Sequence, residues 1–384
     1  MRARHEQRPV FDAFPPAFRL ACACCVWPPS PARDEAVRAA AAGVDWRRFL
    51  RVVTRQRVPG LAHAALKAAG VAPPAEIEAR LASFAQLTTV RALALAAEAV
   101  RLQALLQTEG VPALFIKGAA LAELAYATQS LKHCRDIDLL VAPADAERAF
   151  EVLEREGYRP IVPEGPLTQA QRRLVFRLHK DMELYQPERR LNVELHWRLI
   201  DNPVLLQSVS VASPSQAAPV LNDRLATLAD PQLFAYLATH GATHCWFRLK
   251  WLADLNAWLS GKSDHDIVGF YGCAEELGVE TCAGQALLLC RLLLGFRVPV
   301  ALEPRLGGPK LRRMVAAALD AMIGPDGEVE LRQRPFGPFR LLVDNLEDKL
   351  DHPLPPALHF LYPALRLPFW VLRLQRRRRG AAAA

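Results

Sequence analysis

Apolar residues recur at helical spacing through the first hundred residues of the chain. Asp45 precedes an apolar series that begins at Trp46, the pattern of a helix cap followed by a buried face. A run rich in alanine and leucine extends from about residue 75 to residue 109 and stops at Gly110, which is typical of a helix end. The pattern predicts a helical N-terminal region over residues 1–110.

The period then changes from helical to extended. Short segments with the alternation or apolar density of strands are 113–117, 136–141, 181–186 and 191–197. Gly118 opens a helical stretch between the first two, and a polar tetrapeptide joins the last two as in a hairpin. We therefore expect a small mixed sheet within residues 111–200.

Helical spacing returns at Asp230-Pro231, a helix-start signature. The predicted helices are 231–245, 248–260, 264–277, 280–295, 309–323 and 338–350. They predict a C-terminal helical region over 201–375, followed by a basic and alanine-rich tail over 376–384. The fold class expected from the whole pattern is α+β, with a small sheet core between two helical regions.

The composition fits a folded chain whose basic charge is confined to its ends. Of the 384 residues, 51% are hydrophobic and 23% are charged, which excludes a disordered chain. The net charge is +8, but residues 1–33 carry five arginines against two acids and residues 352–384 carry six arginines and no acid, which leaves 34–351 at −1. A near-neutral body argues against a large nucleic-acid footprint, because phosphate contacts need clustered lysine and arginine.

The late apolar stretch 357–374 is interrupted by two prolines and two arginines, whereas a spanning helix needs about 20 apolar residues. It ends in arginines 376–379, which leaves two alternatives, a solvated tail or a peripheral contact with an anionic membrane surface. No secretory signal is evident, so a cytoplasmic location is expected. The eight scattered cysteines are interpreted as reduced structural residues.

Acidic residues in two of the predicted strands form the candidate chemistry. Asp136 and Asp138 are two apart, so they point to one face of their strand. Two carboxylates side by side are tolerated when they share a divalent cation such as Mg²⁺ or Mn²⁺. Glu194 is the candidate third ligand, and Glu183 on the neighbouring strand is the alternative.

The segment before this acidic pair offers groups that suit a triphosphate. Gly118 lets the backbone approach phosphate, and the helix that starts there presents unpaired N–H groups at Gly118 and Ala119. Lys117 and Arg135 would add charge-assisted contacts. Together these residues predict metal-assisted phosphoryl transfer from a nucleotide.

Four runs resemble a known family: Leu114-Phe-Ile-Lys-Gly-Ala-Ala-Leu121, Arg135-Asp-Ile-Asp-Leu-Leu-Val-Ala-Pro143, Leu153-Glu-Arg-Glu-Gly-Tyr158 and Val193-Glu-Leu-His-Trp197. They are similar to the bacterial uncharacterised nucleotidyltransferases, whose core is of the DNA-polymerase-β type. The resemblance implies a glycine motif, an Asp-x-Asp and a third acid, which Gly118, Asp136, Asp138 and Glu194 match in order. Ala119 departs from the usual serine or glycine, and the third acid is commonly aspartate.

The function expected is Mg²⁺-dependent transfer of a nucleoside monophosphate from an NTP such as ATP to an acceptor hydroxyl. A protein, small molecule or sugar is favoured over nucleic acid as the acceptor, although the terminal arginines keep RNA open. Two alternatives remain: a catalytically inactive nucleotide-binding or scaffold protein, and a toxin-like nucleotidyltransferase acting on tRNA or protein.

Two histidines further along the chain have the spacing of zinc ligands on a helix. His240 and His244 are four apart, as in paired zinc ligands. The metalloprotease motif fails because no glutamate follows the first histidine, so a structural or substrate-facing role is favoured. Asp254 on the next helix is a candidate to orient one of the histidines or to cap a turn.

Overall fold

The helices before the sheet include the two that the sequence predicts, one that begins after Asp45 and one that ends before Gly110. A computed structural model describes residues 13–324 apart from 163–165 and 203, together with eight positions between 354 and 368. The first helices are α1 (Pro16–Cys24), α2 (Pro31–Ala41), α3 (Trp46–Gln56), α4 (Pro59–Ala68) and α5 (Ala75–Thr108). Asp45 caps α3 by accepting a bond of 3.0 Å from the Arg48 amide. The long helix α5 ends just before Gly110, whose φ is +66°, a backbone conformation that favours glycine.

A mixed sheet of five strands follows. Its strands are β1 (Ala113–Phe115), β2 (Ile137–Val141), β3 (Arg159–Val162), β4 (Asp181–Gln186) and β5 (Leu191–His196). The spatial order is β1-β2-β5-β4-β3. Strands β2 and β5 are parallel, and the other neighbouring pairs are antiparallel. The helices inserted between these strands are α6 (Gly118–Tyr126), α7 (Ala146–Arg155) and α8 (Gln169–Leu178).

A two-stranded hairpin, β6 (Ser215–Val220) and β7 (Asp223–Leu228), comes before the later helices. The helical prediction for 201–375 omits it, because Pro219 and the polar residues of β6 weaken the strand pattern. Ala218, Val220 and Leu225 are fully buried and belong to the same hydrophobic core as the sheet. The hairpin thus extends the sheet core toward the C-terminal helices.

The C-terminal helices match the predicted ones closely. They are α9 (Asp230–Thr243), α10 (Leu249–Leu259), α11 (Asp264–Glu276), α12 (Glu280–Leu294) and α13 (Pro309–Ile323). Their apolar faces join those of α1, α3 and α4 in a second core that includes Trp246 and Trp258. The predicted helix 338–350 and the basic tail lie outside the described residues, as does most of the apolar stretch 357–374.

The architecture is α+β, as predicted, with a small mixed sheet and flanking helices. Among the described residues, no helix has both the length and the apolar content needed to cross a membrane.

Candidate active site

Asp138 and Glu194 are neighbours across the parallel strands β2 and β5. Their Cα atoms are register partners, so both side chains point to the same face of the sheet. Leu139 and Leu195 point to the opposite face, where they are fully buried in the sheet core. The apolar alternation therefore holds both strands in the register that brings the two carboxylates together.

His196 completes this group from the same face of β5, two residues beyond Glu194. Its Nε2 atom lies 3.5 Å from Asp138 Oδ1 and 3.3 Å from Glu194 Oε2. Its Nδ1 atom lies 3.5 Å from Oδ2 of Asp181, the register partner of His196 on β4. The residue is 1% exposed, so its imidazole lies against the carboxylates inside the protein and does not face solvent.

These side chains form a candidate metal group. One ligand atom from each of Asp138, Glu194 and His196 lies within 4.8 Å of the others. Among the residues that the structure describes, one group of three or more His, Cys, Asp or Glu side chains could hold an ion, and it is this one. Glu183 is the register partner of Glu194 on β4 but is not a member of the group.

Lys117 reaches the group from the end of β1. Its Nζ atom lies 2.6 Å from Asp138 Oδ1 and 5.9 Å from the centre of the Tyr236 ring. Tyr236 is fully buried. Burial raises the pKa of its hydroxyl, and the neighbouring Lys117 ammonium opposes that rise. Tyr236 carries no sequence signal of a functional role, because its position in an apolar helix is typical of a core residue.

Burial and the neighbouring opposite charges set the pKa values of the side chains in this group. Burial opposes the charge of Asp138, but Lys117 and His196 outweigh it and hold the pKa of that carboxyl well below its usual range. Burial raises the pKa of Glu194, against the lowering contribution of His196. Burial also opposes protonation of His196, yet Asp138 and Glu194 raise its pKa to about 9. Lys117 and His196 are therefore the counter-charges of the acids.

The predicted phosphate-binding segment has the expected backbone. Helix α6 begins at Gly118, whose φ is +55°, in the left-handed region that favours glycine. Its first turn includes Ala119, which is 7% exposed. The N-terminus of α6 therefore lies directly after Lys117, the residue that contacts Asp138.

Asp136 and Arg135 lie just before β2. Asp136 is half-buried, outside the Asp138 group, and it is near enough to help raise the pKa of Lys117. Arg135 is exposed, and its carbonyl accepts a bond of 2.7 Å from the Arg91 guanidinium. The structure thus brings Lys117, Asp138 and Glu194 into direct proximity and leaves Asp136 and Arg135 at the margin.

Asp254 has neither of the two roles suggested by the sequence. Its Oδ2 atom lies 2.6 Å from Lys132 Nζ, and its Oδ1 atom accepts a bond of 3.0 Å from the Tyr126 hydroxyl. The Lys132 and Asp254 residues are 5% and 4% exposed. This buried contact connects α10 to α6 and to the segment that leads into β2, so it helps to fix the position of Asp136.

His240 and His244 pack against aromatic rings. The centres of the two imidazoles are 4.7 Å apart, and each lies within 6 Å of the Trp251 ring centre, at 5.6 and 5.3 Å. Neither histidine belongs to a group of three potential metal ligands among the described residues. The preference for a structural or substrate-facing role over zinc stays a prediction.

A family model described as uncharacterised nucleotidyltransferase matches residues 42–295, which include the sheet, the acidic group and the helices α9 and α10. The chain belongs to this nucleotidyltransferase family, as the motifs predict. No curated protein matches the chain.

Proposed function

We propose that this protein is a metal-dependent nucleotidyltransferase whose site is centred on Asp138 and Glu194. It transfers a nucleoside monophosphate from an NTP, ATP among the candidates, to a hydroxyl of a protein, a small molecule or a sugar. The observation that carries the proposal is the register pairing of the buried Asp138 with the half-buried Glu194 beside a lysine and a helix N-terminus, in a chain of a nucleotidyltransferase family.

The donor set suits a divalent cation. Asp138 and Glu194 offer carboxylate oxygens within 4.8 Å of each other, and hard oxygen ligands are the ones that Mg²⁺ and Mn²⁺ prefer. In the proposal these two acids hold the ion, Asp136 adds an oxygen from the margin, and His196 keeps the two carboxylates in place. The bound ion supplies positive charge against the developing negative charge on the phosphate.

The remaining groups act on the nucleotide. Lys117 exchanges its contact with Asp138 for one with a phosphate oxygen, as a compact point charge does readily. The amides of the first turn of α6, at Gly118 and Ala119, donate to the phosphates, and the helix dipole favours their charge. Arg135, exposed at the margin, contacts the outer phosphates.

The reaction that this arrangement supports breaks one bond and forms one. The acceptor oxygen bonds to the α-phosphorus, its proton is released, and the bond between the α-phosphorus and the bridging oxygen breaks so that pyrophosphate leaves. The residues act by positioning and by charge, which account for most phosphoryl-transfer catalysis.

Label transfer tests the proposal. Purified protein is incubated with each of the four α-phosphate-labelled NTPs and Mg²⁺, with and without cell extract, beside Asp138→Asn. Asp145→Asn, at the last residue of the turn before α7, is the matched control. We expect label in protein, RNA or a small molecule with the intact chain and the control only, which also identifies the acceptor class. Equal label with Asp138→Asn would refute the site. Mg²⁺-dependent NTP binding without any transfer would favour a catalytically inactive nucleotide-binding protein.

A further inference from the structure

Four rings form a continuous row beside the acidic group; we refer to Tyr236, His240, His244 and Trp251 as the aromatic row. The centres of the Tyr236 and His240 rings are 5.8 Å apart, and those of His240 and His244 are 4.7 Å apart. His244 is stacked on Trp251, with 5.3 Å between centres and 30° between planes. Contacts of this length between rings are favourable aromatic interactions.

The aromatic row leads from the buried site to the surface. Its inner ring, Tyr236, lies under Lys117 Nζ at 5.9 Å, and Lys117 contacts Asp138. Its outer ring, His244, is exposed, and Trp251 is half-buried. The rings of His244 and Trp251 are therefore accessible to solvent, and the other two rings of the row connect them to Lys117 and the proposed site for the metal and the phosphates.

The surroundings of the two imidazoles in the row favour their neutral form. Partial burial and the nearby Lys117 ammonium lower the pKa of His240 and of His244 below the ordinary value. A neutral imidazole stacks as an aromatic ring and neither attracts nor repels an uncharged nucleobase by net charge. Lys250, whose Nζ lies 6.0 Å from the centre of the Trp251 ring, adds a cation beside the same surface.

We propose that the exposed face of the His244 and Trp251 stack binds the base of the nucleotide whose phosphates lie at Lys117. The ligand class is a planar heteroaromatic base, because base stacking on aromatic side chains needs only a π face. The inference rests on the proposed function, since it places the base of that same substrate. It gives the His240 and His244 pair a substrate-facing role without a metal.

Binding measurements separate the base from the phosphates. Isothermal titration calorimetry in Mg²⁺ compares ATP with inorganic tripolyphosphate on the intact protein, on His244→Ala and on His244→Phe. His265→Ala is the matched control, because His265 is an exposed histidine on α11 outside the aromatic row. Circular dichroism of each variant checks that the helices are intact.

We expect His244→Ala to weaken ATP binding by about 5- to 150-fold, the range found when a base-stacking ring is removed. Tripolyphosphate binding should stay unchanged, and His244→Phe should restore ATP binding because it keeps a flat ring. His265→Ala should bind both ligands as the intact protein does.

Three results would overturn the inference, and they separate it from the proposed function. Unchanged ATP binding in His244→Ala refutes stacking and leaves the proposed function standing. An equal loss of affinity for ATP and for tripolyphosphate, with no rescue by His244→Phe, would mean that His244 maintains the structure of the site, and it also refutes stacking. Failure of the intact protein to bind either ligand contradicts both proposals.

Discussion

Removing the charge of Asp254 should destabilise the protein far more than removing an exposed carboxylate. Asp254 is 2.6 Å from Lys132 and 3.0 Å from the Tyr126 hydroxyl, and the Asp254 and Lys132 side chains are each only 6% exposed. In Asp254→Asn the amide oxygen still accepts from Tyr126, but the ammonium of Lys132 is left buried without a counter-charge. Loss of one partner of a buried ion pair costs about 3–5 kcal/mol, a large part of the 5–15 kcal/mol that is typical of a folded domain.

The exposed pair between Arg297 and Asp264 is the matched control. It has a similar length, 2.9 Å, but its side chains are 72% and 47% exposed. Solvent screens such pairs, so Asp264→Asn should cost at most about 1 kcal/mol. Urea unfolding followed by circular dichroism measures the free energy of unfolding of each variant.

A double variant tests the reason for the loss. Adding Lys132→Met to Asp254→Asn removes the unpaired charge and should recover more than half of the lost free energy, because the two residues interact directly. Equal costs for Asp254→Asn and Asp264→Asn would refute the reasoning. So would a double variant that is less stable than Asp254→Asn alone.

Three further outcomes are expected. Gly241→Ala should cost about 2–3 kcal/mol in urea unfolding, because the added Cβ overlaps the buried Trp246 ring, whereas Gly269→Ala, on an open helix face, should be neutral or stabilising. Because the pKa of His196 is raised to about 9, its protonation stabilises the metal-free fold fully below about pH 6.5, and this stabilisation is lost as the pH rises to about 9. The free energy of unfolding should therefore fall by on the order of 3 kcal/mol between pH 6 and 9.5, and His196→Asn should lack this fall. The same pH dependence of the free energy of unfolding in both proteins would contradict the prediction. Lys117→Met should lower label transfer by about 100-fold, the usual effect of removing one charge-stabilising donor, and unchanged transfer would remove Lys117 from the site.

The proximity of Asp138 and Glu194 was predictable because it follows from local pattern. Strand alternation fixes the faces of Asp138 and Glu194, and helix α6 between β1 and β2 and the hairpin of β4 and β5 are both visible in the sequence. The same alternation places His196 on the face of Glu194, so its proximity had a signal. Its burial had none, because burial depends on the elements that cover the sheet.

Contacts between distant parts of the chain had no sequence signal. Lys132 and Asp254 are 122 positions apart. A lysine and an aspartate in separate segments are expected to be surface residues, because charged side chains are seldom buried. The stacking of His244 on Trp251 was hidden for a different reason, since helical spacing predicts that His240 and His244 share a face but does not show which rings lie opposite. The hairpin of β6 and β7 was missed because its strands alternate weakly.

Metal binding to Asp138 and Glu194 is the most direct test of the proposed site. Electron paramagnetic resonance of Mn²⁺, with ATP present, counts the bound ion in the intact protein, Asp138→Asn, Glu194→Gln and Glu183→Gln. Glu183→Gln is the matched control, because Glu183 faces Glu194 from β4 but is not part of the group. The account predicts that Asp138→Asn and Glu194→Gln lose the ion and that Glu183→Gln keeps it. Equal Mn²⁺ binding in all four proteins, or loss in Glu183→Gln alone, would contradict it.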